Sequence, residues 1–171
     1  MELSWFREKL IQAHENQRKH LHYVLTDLSN DELTKIVTNE EYSKSIAGLV
    51  MHIGTAETYW FHKANNSIGL PVIADSFEEV MTRIKENTEK INKIVKECPE
   101  EQLHIIPPRE GGPSIAWAVL RTSQHGIYHA GQIAKIRRMI GASDLLPDSE
   151  DLWGKAIDST LEIIRALFDE R

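Results

Sequence analysis

The 171-residue chain carries one cysteine, Cys98, so no disulfide can form within it. It does not need one, because a chain of this length buries roughly 70% of the surface its unfolded form exposes. A lone thiol fits a reducing compartment, and the expected location is the cytoplasm. Long apolar runs are missing too: no window approaches 18 consecutive apolar residues, and the opening MELSWFREKLIQ has charges where a signal peptide needs its apolar core. Neither a membrane span nor a secretory leader is expected. Positive charge is in short supply, with 20 Lys and Arg against 26 Asp and Glu, a net charge of −6. No basic run exceeds two residues, as at Arg137 and Arg138, so nucleic acid is not an expected partner. What the chain does have is histidine, eight in all.

No stretch shows the alternation of a convincing strand, whereas five show apolar residues at helical spacing. The expected class is therefore all-α, in one domain spanning residues 1–171. The first predicted helix runs from about Ser4 to Leu28, with Leu3, Phe6, Leu10, His14, Gln17, Leu21 and Leu28 on one stripe. The second, from about Ser43 to Ala64, turns Ile46, Leu49, His52 or Ile53, Ala56 and Trp60 inward. The third opens on a capping-box pattern, Ser76 with Glu79, carries Phe77, Val80, Ile84, Ile91, Ile94 and Cys98, and is closed by Pro99. After the Gly/Pro-rich connector PPREGGPS, Ser114 can cap a fourth helix from Ile115 to Ile140 that stops at Gly141, with Arg137 and Arg138 suited to its C-terminal dipole. The fifth, about Ser149 to Phe168, presents Leu152, Trp153, Ala156, Ile157, Thr160, Leu161 and Ile164. Helices of this length with one apolar face pack as a bundle. The connections Asn30 to Glu41 and Asn65 to Asp75 are long enough for a crossover.

His125 and His129, inside QHGIYHAGQI, supply the sharpest chemical signal. Four residues apart on a helix, they stand about 40° apart around the axis and about 6 Å along it, so both imidazoles can converge on one ion. Gly126 follows the first histidine where a metalloprotease HExxH motif requires Glu, which excludes that reading. A third ligand must come from another helix, and His52, between Leu49 and Ala56 on the inward rows, is the best placed. A lone inward histidine is more often a hydrogen-bonded core residue, so the pattern alone leaves His52 open. His20 and His22 flank the apolar stripe, His62 lies about 15 Å along the axis from His52, and His104 sits in a polar connector; all four read as surface residues. Glu57, about 140° round the helix from His52, is not expected to reach an ion there. Gln132, one turn after His129 on the same face, could hydrogen-bond a ligand or substrate, and inward-facing His14 and Gln17 could line a cavity floor or form a satisfied core pair.

SIAGLVMHIGTAETYWF on one helix and HGIYHAGQIAKIRRMIG on a later one together resemble the DinB-like superfamily, which includes bacillithiol S-transferases and mycothiol-dependent enzymes. The resemblance extends over about Leu3 to Phe168 and lies in the order of its short motifs: a helix-2 histidine, a later HxxxH, a Gly-Gln pair and a paired Arg before Gly. It implies a four-helix bundle of DinB type with an additional C-terminal or connecting helix, often in a homodimer, and a divalent metal held by His52, His125 and His129. Three neutral imidazoles leave coordination positions open, as in catalytic sites, and zinc and nickel suit them best. The activity expected from such a site is transfer of a low-molecular-weight thiol to a small-molecule substrate. Cys98, with nothing in the sequence to lower its pKa, is not the expected nucleophile. The alternatives are a metal-dependent hydrolase or isomerase working with water, and a non-catalytic metal-binding module of a stress response.

Overall fold

The structure, a computed structural model, describes residues 3–39, 44–64, 77–109 and 111–169. Its elements are α1 (Leu3–Leu25), α2 (Asn30–Thr34), α3 (Ile46–Lys63), α4 (Phe77–Glu97), a one-turn 3-10 helix at Glu100–Leu103, α5 (Ile115–Ile140) and α6 (Leu152–Asp169). No strand occurs among the described residues, and the architecture is the all-α bundle expected, with α6 as the additional C-terminal helix. The Ser76 end of the predicted capping box, the connection Asn65 to Asp75 and the side chains of Leu3, Phe77 and Phe168 lie outside the described residues.

α5 has both ends that the sequence announces. The Ser114 hydroxyl accepts from the Trp117 amide at 3.2 Å, and Gly141 closes the helix in the left-handed conformation, φ 72°, where a Cβ would be strained. α1 stops at Leu25 rather than Leu28, because Asp27 turns the chain at φ 58°, a conformation that Asp tolerates better than most residues. The stretch after it, expected to be connector, begins with α2. Ser29 and Glu32 form its capping box: the Ser29 hydroxyl accepts from the Glu32 amide, and the Glu32 carboxylate accepts from the Ser29 amide at 2.8 Å.

Contacts between helices fix their directions. Arg7 near the start of α1 donates to the Val95 carbonyl of α4 at 2.6 Å, and Arg18 further along donates to Thr88 Oγ1 at 2.9 Å, so α1 and α4 are antiparallel. α6 is antiparallel to α1 as well, with Lys9 on Glu162 at 2.7 Å and Asn16 donating to the Lys155 carbonyl at 3.3 Å. α5 runs parallel to α1. Arg137 in its last turn is buried and donates to the Val24, Thr26 and Ser143 carbonyls, tying off the end of α1 as well as suiting its own helix dipole. α3 lies antiparallel to α5, with Trp60 meeting Trp117 edge to face at 4.8 Å.

The apolar core falls into two clusters. One gathers Phe6, Leu10, Phe61, Ile91, Val95, Ile115, Val119 and Ile163; the other gathers Leu21, Val24, Ile46, Leu49, Ile53, Ile84, Ile133 and Ile136. Between them on the long helices α1, α3, α4 and α5 sit buried polar residues: His14, Gln17 and Arg18, then Glu57, Asn87, and Thr122 with Ser123. A polar layer thus crosses the middle of the bundle.

α6 corrects a sequence expectation. Its inward stripe is Ala156, Ser159, Thr160 and Ile163, while Trp153 and Leu161, expected to face the core, are 57% and 45% exposed. Small residues at Ala156 and Ser159 let α6 approach α1 closely, and this turns the larger side chains outward.

Candidate metal centre

Three histidines from two helices meet at the level of the polar layer. α3 supplies His52 one and a half turns from its start, and α5 supplies His125 and His129 from successive turns of one face. His125 Nε2 lies 3.2 Å from His52 Nε2 and 3.0 Å from His129 Nε2. Nitrogens held 2.0–2.1 Å from one ion at ordinary coordination angles stand about 2.8–3.4 Å apart, so this spacing fits a shared cation. Among the described residues, this is the cluster of ligand-type side chains able to hold a metal, and no carboxylate or thiol belongs to it.

The rings are neutral at pH 7. Burial lowers all three imidazoles from their ordinary pKa; for His125, burial, the neighbouring histidines and the Arg121 guanidinium bring it down to about 4, against a small opposing pull from Glu57. Neutral imidazole is the form that ligates a metal. His129 Nδ1 donates to Gln132 Oε1 at 2.6 Å, and the Gln132 amide nitrogen in turn donates to the Tyr128 hydroxyl at 3.1 Å. That bond places the His129 proton on Nδ1 and leaves the Nε2 lone pair facing the other two rings.

The remaining residues singled out in the sequence are placed as follows. Gln132 joins the cluster through His129. His14 and Gln17 are fully buried on α1 and do not join it. The Gln17 amide lies against Gly126, where a Cβ would come within 2.2 Å of its nitrogen, so Gly at 126 makes room for this side chain against α5. His14 belongs to a buried group missed by the sequence reading. The Arg18 guanidinium pairs with Glu57 Oε1, and His14 Nε2 lies 3.4 Å from Arg18 Nη2 and 3.8 Å from Glu57 Oε1. Burial alone would push the Glu57 carboxyl up, but Arg18 and His14 outweigh it and hold it below its usual range; burial holds His14 down and so neutral. A hydrophilic residue at a core position of each helix was the available signal, although which partner each one meets is a long-range property. His22, His62 and His104 are exposed as expected, but His20 is only 6% exposed, since the α1 face that meets its neighbours is wider than one stripe. Cys98 accepts from Arg7 at 3.4 Å and donates to the Val95 carbonyl at 3.5 Å, away from the histidines.

A family model described as the DinB superfamily matches residues 13–133, an interval that contains all three histidines and Gln132. The chain belongs to the DinB superfamily. No curated protein and no solved structure matches it. In this DinB-superfamily protein, the motifs that carried the resemblance thus coincide with the one three-residue metal-type cluster among the described residues.

Proposed function

We propose that His52, His125 and His129 hold one divalent cation, zinc or nickel, and that the protein is an S-transferase coupling a low-molecular-weight thiol to a small electrophile. The observation that carries this reading is the convergence of three Nε2 atoms at 3.0 and 3.2 Å. A divalent cation bound there supplies the charge that favours thiolate over thiol, whose unperturbed pKa of about 8.5 leaves it mostly protonated at neutral pH. The chain's own groups prepare the site: the three imidazoles are neutral without displacing a proton, and Gln132 holds His129 in the required tautomer. Arg121, whose charge reaches both His125 and His129, adds a positive field that favours an anionic sulfur. Hydrolysis at the same site would call for a general base. The carboxylate whose charge reaches His125 is Glu57, and it is 1% exposed and bound to Arg18, which favours the thiol reading.

A homodimer is the second part of the proposal. Tyr128 and Leu161, with Ile127, Ile157 and Ile164, line an exposed apolar surface where α6 meets α5, and Trp153 is exposed about two turns before Leu161 on α6; such a surface suits a second copy of the chain.

The test is to incubate zinc- or nickel-loaded protein with cellular thiols and a haloaromatic electrophile. Metal-dependent conjugation that His129→Ala abolishes is expected. Equal rates for the two proteins overturn the reading, and ester hydrolysis in the absence of any thiol favours the water chemistry instead.

A further inference from the structure

At the C-terminal end of α3 lies a hollow of about 450 Å³, walled by Tyr59, Trp60, Lys63 and the loop carrying Arg109, Gly112 and Pro113. The loop is built rather than draped. The Ser114 amide donates to the Ile106 carbonyl at 3.0 Å, the Ile106 amide donates to Ser114 Oγ at 3.1 Å, and the Gly112 amide donates to the Arg109 carbonyl at 2.9 Å. Gly112, at φ 87°, lies so near the end of α3 that a Cβ would stand 2.4 Å from the Lys63 carbonyl oxygen. Only glycine permits this approach, which sets Arg109 and Lys63 on the same hollow.

The hollow is in line with the histidine cluster. Tyr59 and Lys63 follow His52 by seven and eleven residues, about 10 and 16 Å along α3 and within about 20° of the same face. On α5, Arg121 stands one turn from His125 toward the same end, where Trp117 meets Trp60. The Lys63 ammonium lies over the Tyr59 ring at 5.6 Å, which brings its charge back from its own Cα toward the level of Tyr59, about 10 Å along α3 from His52. In a chain of net charge −6, Lys63, Arg109 and Arg121 have no ion-pair partner among the described residues, and no described carboxylate lines the hollow. Unpaired cations beside flat aromatic walls suit an organic anion.

We propose that this hollow receives the carboxylate end of an extended small molecule whose other end, about 10 Å away, reaches His52, His125 and His129. The specificity of the protein then lies in length and charge: Lys63 and Arg109 bind the carboxylate, Tyr59 and Trp60 flank the chain that follows it, and Arg121 favours negative charge near the reacting end. This inference rests on the thiol reading for the nature of the reacting end alone; the anion site stands on its own geometry.

Binding of simple probes to the zinc-loaded protein tests it, followed by calorimetry and by indole fluorescence, to which Trp60 and Trp117 contribute alongside Trp5 and Trp153. ω-Mercaptooctanoate, whose chain spans about 10 Å, is expected to bind five- to tenfold more tightly than β-mercaptopropionate, which is too short to reach both ends. Lys63→Met with Arg109→Met keeps the aliphatic stems, and this double variant is expected to lose the preference while its metal content and circular dichroism stay at wild-type values. Octanoate, which has no sulfur, is expected to quench the indole fluorescence of the wild type and not of the double variant. Equal affinities for the two thiol acids, or octanoate quenching unchanged in the double variant, overturn the proposal. Octanoate quenching that the double variant abolishes, with no thiol binding at all, upholds the anion site and removes the thiol reading.

Discussion

His129 donates from Nδ1 to Gln132 Oε1 at 2.6 Å while its Nε2 faces the other two histidines, so one hydrogen bond selects the tautomer that a ligand must have. The bond joins residues one turn apart on α5 and depends on no distant element. Outer hydrogen bonds of this kind are worth about 10- to 100-fold in metal affinity. Gln132→Leu should lose that much in a chelator competition titration, with an unchanged helical spectrum, while Gln132→Glu, which keeps the acceptor, should stay within about threefold of wild type. Wild-type affinity in Gln132→Leu contradicts a positioning role.

The Arg18 and Glu57 pair predicts an asymmetry in stability. Removing one member of a buried pair leaves a charge without compensation and costs about 3–5 kcal/mol, whereas replacing both with apolar residues is often nearly neutral. Both side chains are 6% exposed or less. Urea unfolding of Glu57→Leu should show a loss in that range, and Glu57→Leu with Arg18→Met should recover most of it. A small loss in the single variant contradicts the pairing.

Six histidines have a lowered pKa in the folded chain, chiefly through burial: His14, His20, His22, His52, His125 and His129. The unfolded chain, with histidines near 6.5, therefore binds protons first as the pH falls. Stability of the metal-free protein is fully present above about pH 6.5 and is lost as the pH drops from there toward the folded values, about 4 for His125. The midpoint of thermal unfolding should thus be level between pH 7 and 8 and decline below about pH 6.5, less steeply in His14→Gln than in the wild type. A midpoint that rises on acidification contradicts this.

Legibility followed the range of the interactions. α5 could be bounded to the residue because Ser114 and Gly141 act locally, and the pairing of His125 with His129 is a consequence of helical geometry alone. α2 carried an equally local signal, Ser29 with Glu32, in a stretch too short to show periodicity. His52 was placed inward by its face, but its meeting with α5 is tertiary and came only from the resemblance. The Arg18 and Glu57 pair is 39 residues apart in sequence, so nothing local could join them. α6 has apolar residues on two stripes, and only packing against α1 decided which was buried. The hollow at the end of α3 needs both that end and the loop at Gly112, and no single stretch announces it.

Metal content by elemental analysis tests the central claim most directly, because His52 is the one ligand brought from a different helix. Protein saturated with zinc or nickel and passed through a desalting column should retain about one ion per chain in the wild type and less than about a tenth of that in His52→Ala, with the helical spectrum unchanged. Full retention of the ion by a folded His52→Ala contradicts the three-histidine site.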